Sequence, residues 1–328
     1  MLGVGLAAAL TALVVGPANL PARGVVLELL SALPFVDVES GLTERQAAVL
    51  WQLRVPRVAL GAMVGAALAV AGASYQGVFR NPLADPYLLG VAAGAGLGAT
   101  IAIAIGVAGT SPLLPLAAFS GGAIAVVITY ALARLGGTAR TTATLILAGV
   151  AVASFFTAAQ TFAQQLASDT VREVFAWILG RLTTSGWSEV GLVAPFLAVA
   201  LAVLVAHRRH LDVMAVGETE AASLGMRVPR VRFWIVAAAT LATAAAVSVA
   251  GLIGFVGIIV PHTVRLMAGS SYRVIVPLSM VAGAAFMLTA DIIARTVLAP
   301  SELPIGVITA FVGAPFFAVI LARSSRSV

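Results

Sequence analysis

The feature that most constrains this chain is the series of long apolar stretches that fill it almost from end to end. Of the 328 residues, 61% are hydrophobic and only 10% are charged, whereas soluble domains carry about 25% charged residues. So few charges cannot cover a surface that faces water. We therefore expect the bilayer to be the main solvent of the folded chain.

A helix needs roughly 20 mostly apolar residues to cross a bilayer, and about ten stretches meet this condition. We predict an all-α polytopic membrane protein whose single transmembrane domain covers residues 1–328. The first stretch lacks the positive amino-terminal region of a signal peptide and is predicted to be retained. The predicted spans cover residues 2–20, 57–79, 87–108, 113–134, 142–165, 190–206, 232–250, 251–268, 275–297 and 304–322.

Three details of this helix pattern are predicted separately. The glycines around residue 250 are compatible with either a tight turn or a broken helix. A short helix is expected at Ala22–Leu30, outside the spans. Another, at residues 171–181, is expected to lie at the outer membrane interface, because Trp177 and its charged flanks suit a headgroup boundary.

The arginines predict the orientation of the chain. With a cytoplasmic amino terminus and ten spans, twelve of the nineteen arginines fall on the cytoplasmic side and seven on the outer side. Positive residues are enriched in cytoplasmic loops. Both termini are therefore predicted to be cytoplasmic.

The composition also excludes several kinds of chemistry. All nineteen basic residues are arginine, so the chain has no Schiff-base lysine and no P-loop, whose lysine contacts nucleotide phosphates. Without cysteine it has no disulfide, thiol nucleophile or cysteine-bound metal. The arginines lie singly or in pairs, which argues against nucleic-acid binding. His207 and His210 are flanked by arginines that repel a cation, so no metal site is predicted there.

Few ionisable residues fall inside the spans. Asp291 and Arg295 are spaced i, i+4 near the end of the ninth span and can form an ion pair. An ion-coupled secondary transporter remains an alternative function, but it would need coupling-ion sites at broken helices, and the chain offers few candidates. An intramembrane enzyme lacks a credible catalytic set.

Two cytoplasmic segments stand out from the apolar background. In GVFRNPLADPYLLG, residues 77–90, Pro82 and Pro86 cannot continue a helix. The second span is therefore predicted to end near Arg80 and the third to start near Pro86. Asp85 can either cap the start of the third span or pair with an arginine.

The second segment is LDVMAVGETEAASLGMRVPR, residues 211–230. Thr219 is predicted to cap a short helix there and Gly225 to end it. Such a helix suits a docking surface, and an ordinary interfacial loop is the competing interpretation. Within the spans, glycines at Gly61 and Gly65, and at Gly90, Gly94 and Gly98, predict close helix packing.

Five segments, in this order, resemble the permease family of ATP-binding-cassette importers for iron chelates, haem and cobalamin, the type II importers. The resemblance runs from about residue 50 to the end. The segments are LWQLRVPRVALGAMVGAALAVAGASYQGVFRNPLADPYLLG, GETEAASLG, GLIGFVGIIVPHTVRLMAG, ADIIAR and ELPIGVITAFVGAPFF.

The resemblance implies a transmembrane permease subunit that moves a metal chelate (an iron siderophore, haem or cobalamin) across the bacterial cytoplasmic membrane by alternating access. It implies a second permease copy, two ATPase subunits on the cytoplasmic face and a substrate-binding protein outside. The chain itself would be no enzyme and would bind no cofactor, since ATP and Mg²⁺ would be used by the ATPase. Nothing in the sequence separates the three chelates.

The resemblance also assigns roles to individual residues. GETEAASLG, within a coupling segment of about residues 207–230, resembles the ATPase contact. RNPLADP and GGTARTTA resemble two parts of the cytoplasmic gate, and LRVPR and ADIIAR match positions that face acidic groups of the binding protein; snorkelling of these arginines is the alternative. The implied residues are Gly217, Glu218, Ala221, Leu224 and Gly225 for ATPase coupling, Asn81, Pro82, Leu83, Thr141 and Thr142 for the gate, and Arg54, Arg57 and Arg295 for docking.

Overall fold

A computed structural model describes residues 1–16, 20–34, 36, 38–107, 109, 111–135, 142–182 and 186–324. Over these residues the chain is helical, without strands. The fifteen α-helices are α1 (Leu2–Val14), α2 (Ala22–Ser31), α3 (Glu44–Val49), α4 (Val55–Phe79), α5 (Val91–Ala104), α6 (Leu113–Leu135), α7 (Thr142–Leu166), α8 (Val171–Ile178), α9 (Ser188–Ala206), α10 (Arg208–Val216), α11 (Glu218–Ser223), α12 (Val228–Ala250), α13 (Val256–Ala268), α14 (Tyr272–Thr296) and α15 (Ile305–Ser324).

The prediction of an all-α polytopic membrane protein is confirmed. In the described part of the chain, six helices are long and apolar enough to cross a membrane: the continuous helix Glu44–Phe79, α6, α7 (Ala143–Leu166), α9, α12 and α14. The remaining four predicted spans coincide with shorter apolar stretches in α1, α5, α13 and α15. The count of ten is therefore approximate.

The core is built around α4, because small residues let other helices reach its backbone. A Cβ atom at Gly65 would collide with the Gly283 carbonyl of α14, and one at Gly94 of α5 would collide with the Gly121 carbonyl of α6. Where lipid surrounds the bundle, such close packing drives helix association. The predicted packing role holds for these glycines, whereas Gly90 has φ +82° and forms the turn before α5.

Two chain breaks interrupt the helical pattern. The first follows Phe79: Arg80 adopts a left-handed conformation, Pro86–Leu89 form a 3-10 turn, and α5 begins only at Val91. The second is the non-helical stretch 251–255 between α12 and α13, which ends at Phe255 with φ +69°. The sequence is compatible with a turn or a broken helix near residue 250, and the structure has a five-residue break at 251–255.

The two predicted short helices have different outcomes. The helix expected at Ala22–Leu30 is present as α2. The helix expected at residues 171–181 is α8, but Trp177 is only 5% exposed and packs with Val174 and Ala99. Neighbouring helices therefore cover the indole in the folded chain, and the position of α8 at the outer interface stays a prediction.

Candidate functional site

The chain break after α4 forms a compact, hydrogen-bonded turn. The Asn81 side-chain oxygen accepts a bond from the Leu83 N–H at 2.9 Å, and the Asn81 carbonyl accepts one from the Ala84 N–H at 3.0 Å. Asn81, Pro82 and Leu83 are exposed, whereas Ala84 is fully buried. We call residues Arg80–Ala84 the gate turn. Its outer surface is free to contact another molecule while its end is fixed in the core.

The residues after the gate turn join the two chain breaks. Asp85 accepts a bond from the Tyr87 N–H at 2.7 Å, so it caps the 3-10 turn, which decides between the two roles predicted for it. The Tyr87 hydroxyl donates to the Ile253 carbonyl at 2.9 Å and accepts from the Ile253 N–H at 3.1 Å. One side chain thus satisfies both backbone groups of a residue that has no helical partner there. The two non-helical segments are held together by this pair of bonds.

A second connection runs from the start of α13 to the start of α14. Gly257 packs so closely on α4 that a Cβ atom at Gly72 would collide with the Gly257 carbonyl. The same carbonyl accepts a bond from the Gln76 amide at 3.1 Å, and the Gln76 oxygen accepts one from Arg265 at 3.2 Å. Arg265 also reaches the Tyr272 hydroxyl at 3.3 Å. These bonds connect α4, α13 and α14 below the gate turn.

Asp212 of α10 (Arg208–Val216) extends this connection to the short helices that follow α9. Its carboxylate accepts bonds from the Tyr272 N–H at 2.5 Å and from the Ser271 hydroxyl at 3.0 Å. A carboxylate at a helix N-terminus is favoured because it satisfies an unpaired N–H and complements the helix dipole. Asp212 therefore attaches α10 to the amino terminus of α14.

The segment predicted to contact an ATPase is a pair of short helices, α10 and α11, joined at Gly217. The backbone there has φ +150°, and a Cβ atom would collide with the Glu220 carboxylate. Glu218, the first residue of α11, forms an ion pair with Arg232 of α12. The predicted short helix is confirmed, but it begins at Glu218, so the prediction that Thr219 caps it is wrong. A glycine at the joint lets α10 and α11 pack tightly.

The other residues predicted for the coupling segment have distinct environments. Gly225 has φ +84°, and its N–H and that of Met226 bond back to α11 carbonyls, which ends the helix as predicted. Leu224 is 72% exposed, whereas Ala221 is fully buried in the core of the chain. Leu224 therefore offers an apolar contact to a partner, and Ala221 seats the helix.

The second predicted part of the gate is only partly described. Thr141 lies outside the described residues. Thr142 is the first residue of α7, and its side chain lies outside them as well. Its role in a gate stays a prediction.

At the opposite end of α4, Arg57 binds two carboxylates. Its guanidinium contacts Asp291 at 2.8 Å and makes a two-bond fork with Glu302, each bond 2.9 Å long. The Asp291 side chain is 1% exposed and that of Glu302 is 34% exposed. Asp291 also pairs with Arg295 at 3.0 Å, as its i, i+4 spacing predicted.

Arg54 and Arg295 bind the carboxyl end of α1. Arg54 donates to the carbonyls of Leu13 and Val14 at 2.5 and 2.6 Å. Arg295 donates to those of Ala12 and Val15 at 3.1 Å each. The last carbonyls of a helix lack intrahelical partners and carry partial negative charge. Both side chains are nearly buried, at 6% and 5% exposure, so in this chain they hold α1.

The described residues contain no cluster of three or more histidine, cysteine or acidic side chains that could hold a metal ion. His207 and His210, which the sequence singled out, have their rings 5.2 Å apart at the start of α10. Burial, with a contribution from His207, lowers the pKa of His210. A lowered pKa keeps the ring neutral at pH 7.

Sequence reasoning missed the residues that connect the gate turn to the coupling segment, namely Tyr87, Gln76, Arg265, Tyr272 and Asp212. Each forms its key bond with a residue far along the chain, such as the pair Tyr87 and Ile253, which are 166 positions apart. The available signal was polarity, because a buried polar side chain in an apolar helix needs a partner.

Comparison with known proteins assigns nearly the whole chain to one transport family. The profile of the FecCD transport family matches residues 4–323. The cobalamin import system permease protein BtuC of Halobacterium salinarum is 43% identical over 287 residues, which cover 87% of this chain and 76% of the relative. The Fe(3+) dicitrate transport system permease protein FecD of Escherichia coli is 36% identical, over 84% of this chain and 85% of that protein.

A solved structure shares the fold. It is an inward-facing conformation of a transporter assigned to the metal-chelate type of ABC transporters, with a TM-score of 0.82 and 28% identity. The alignment covers 98% of this chain and 96% of that one. The described helices therefore share the fold of that transporter chain over nearly their whole length.

Proposed function

Because this chain belongs to the FecCD transport family, we propose that it is the permease subunit of an ATP-driven importer that carries a metal chelate of the cobalamin or ferric citrate kind. The observation that carries the proposal is its similarity to the permeases of cobalamin and Fe(3+) dicitrate import over 84–87% of its length. The apolar bundle of the structure supports a multi-pass membrane protein.

The proposed mechanism is mechanical, since the chain has no P-loop and would not hydrolyse ATP itself. A partner ATPase that uses ATP and Mg²⁺ would press on the coupling segment through Leu224 and the exposed face of α11. The Glu218–Arg232 pair would transmit that force to α12, and Asp212 would transmit it to α14. Packed helices respond by moving as rigid bodies.

Movement of α12 and α14 would reach the gate turn by two routes. The break after α12 holds Tyr87 through Ile253, and the start of α14 reaches Gln76, one turn before the gate turn, through Arg265. Asn81, Pro82 and Leu83 would then open or close the cytoplasmic end of the path, together with Thr141 and Thr142. The connections described above support this assignment.

The proposed assembly contains a second copy of this chain, two ATPase subunits and an external substrate-binding protein. We place it in the bacterial cytoplasmic membrane with both termini in the cytoplasm, because this orientation puts twelve of the nineteen arginines on the inner side. An acidic binding protein would dock at the outer end, where Arg54, Arg57, Arg295, Asp291 and Glu302 together carry a net charge of +1, three positive against two negative.

Within that outer cluster, we assign Arg57 the direct role. It lies at the rim with the partly exposed Glu302, which an incoming carboxylate can replace. Arg54 and Arg295 would act by keeping the end of α1 in place under the docking surface.

Reconstitution tests the proposal. The chain is purified with a candidate ATPase and a candidate binding protein of the same importer type and placed in proteoliposomes with ATP on the ATPase side. We expect ATP-dependent uptake of cyanocobalamin or ferric dicitrate, and loss of uptake when the ATPase is omitted. Uptake driven by a proton or sodium gradient without any ATPase would contradict the proposal and favour a secondary transporter.

A further inference from the structure

Two adjacent cavities form one groove on the side of the bundle, between α6 and α12. They measure about 460 and 200 Å³ and share Tyr130, Arg134 and Phe233. Tyr130 and Phe233 meet edge to face, with ring centroids 6.2 Å apart, at the join between the cavities. We call the combined feature the interhelical groove.

The larger cavity is an apolar trough. Its walls are apolar side chains of two spanning helices, including Phe119, Ala123 and Val127 of α6 and Leu241 of α12. Phe119 contacts Phe196 of α9 and closes the far end. From Phe119 to Arg134 the trough follows sixteen residues of α6, and the fifteen rises between them span about 22 Å at 1.5 Å each. That length exceeds half of a hydrocarbon core of about 30 Å.

The mouth of the groove is cationic and lies beside the coupling segment. Arg134 ends α6, and its exposed side chain has no ion-pair partner among the described residues. Arg232 faces it from α12 and pairs with Glu218, while its Nε atom is buried and has no hydrogen-bond partner in the described part of the chain. Two positive charges and one negative leave a net charge of +1.

We propose that the interhelical groove binds one anionic phospholipid, with the phosphate between Arg134 and Arg232 and an acyl chain along α6 and α12. This inference goes beyond the proposed function. Guanidinium groups form forked hydrogen bonds with phosphate, and basic pockets between spanning helices bind anionic headgroups. Val127 is 68% exposed and Phe233 is 44% exposed, so the wall of the trough is open to the side from which a lipid enters.

A lipid bound at this place would affect the contact between the coupling segment and α12. Glu218 of α11 and Arg232 of α12 both line the mouth. A phosphate there shares the Arg232 guanidinium with Glu218 and so joins the headgroup to the contact between the coupling segment and α12. The lipid therefore stiffens the joint through which α11 moves the bundle.

Native mass spectrometry of the detergent-purified, delipidated chain tests the proposal. The probes are phosphatidylglycerol and phosphatidylcholine with identical acyl chains. We expect one phosphatidylglycerol per chain, bound roughly tenfold more tightly than phosphatidylcholine, because each nearby basic residue adds about 1 kcal/mol of attraction. Arg134→Gln should remove most of that preference, and Ala123→Phe, which fills the trough, should remove the bound lipid.

Arg230→Gln is the matched control, because Arg230 is exposed on α12 at the same end of the membrane and does not line the groove. It should leave the preference unchanged. Equal binding of the two lipids would overturn the proposal, as would an equal loss in Arg230→Gln and Arg134→Gln. If Ala123→Phe lowered the oligomeric mass and left lipid occupancy intact, the groove would be an interface between copies of the chain.

Discussion

Arg57 binds two carboxylates that differ mainly in burial. Asp291 is enclosed by Arg57 and Arg295, whereas Glu302 lies at the rim with a third of its side chain exposed. Removing one partner of a buried ion pair leaves an uncompensated charge, while an exposed pair contributes little because water and salt screen it. The two acids therefore have different roles despite their common partner.

Asp291→Asn should lower the free energy of unfolding by about 3 kcal/mol or more, because the buried Arg295 loses its counter-ion and Arg57 keeps only the partly exposed Glu302. Glu302→Gln should lower it by less than about 1 kcal/mol. Denaturation of the purified chain in detergent measures both. Equal destabilisation by the two substitutions would show that burial does not distinguish these carboxylates.

Tyr87 links the two chain breaks through its hydroxyl group, which bonds both backbone groups of Ile253. Tyr87→Phe keeps the ring and leaves the Ile253 N–H and carbonyl without their partner, at a cost of about 1–3 kcal/mol for each unsatisfied buried group. In the assembled transporter we expect fewer substrate molecules moved per ATP hydrolysed. An unchanged ratio, measured by parallel uptake and phosphate-release assays, would exclude Tyr87 from the transmission route.

At the scale of elements, the helix breaks decide where the bundle can change shape. The stretch 80–90 interrupts the chain between α4 and α5, and the stretch 251–255 interrupts it between α12 and α13. The Tyr87 hydroxyl satisfies the N–H and the carbonyl of Ile253 in the second break, where lipid could not. Tight glycine contacts hold the intact helices on either side. Helices that are joined by non-helical segments can move as rigid units, and such a movement is what a gate requires.

A substitution at the contact between Gly72 and the Gly257 carbonyl tests whether α4 and α13 are packed rigidly. Gly72→Ala should destabilise the chain by about 1–3 kcal/mol or more, because the added methyl group meets backbone that cannot rotate away. Gly191→Ala in α9 is the matched control, since open space surrounds that position, and it should be neutral or slightly stabilising. A thermal-unfolding midpoint that is the same for both variants would argue against close packing at Gly72.

A substitution of Asp212 tests whether the coupling segment acts on α14 through this residue. Asp212→Ala removes the cap of α14 and should lower stability by about 1 kcal/mol. Because the joint between α10 and α14 is then loose, ATP hydrolysis should continue while ATP-dependent uptake falls several-fold. Full uptake in this variant would mean that α14 does not transmit the movement.

At the scale of the whole molecule, periodicity and hydropathy predicted the helix order well, because every span must bury its own backbone bonds in lipid. The same reasoning could not find the links Tyr87–Ile253 and Asp212–Tyr272, which depend on tertiary packing. It also could not show that the Trp177 indole is buried, since a tryptophan flanked by charges looks the same in sequence whether a lipid headgroup or a helix covers it.

Arg54 and Arg295 show the same limit of reasoning from sequence. Their residue type and position pointed to a partner's carboxylates, yet α1 occupies Arg54 and Arg295 in the folded chain. The acceptors are backbone carbonyls, which no sequence pattern distinguishes. Their role in docking stays a prediction, and the structure adds the role of holding α1.

The central claim is that an ATPase cycle at the coupling segment moves the gate turn. The chain contains no cysteine, so Leu83→Cys introduces one thiol, on a side chain that is 44% exposed in the gate turn. The rate of its reaction with a maleimide, measured in the assembled transporter with and without ATP, reports the state of the gate directly. We predict that ATP changes this rate several-fold only when the ATPase is present. An identical rate under all conditions would contradict the account.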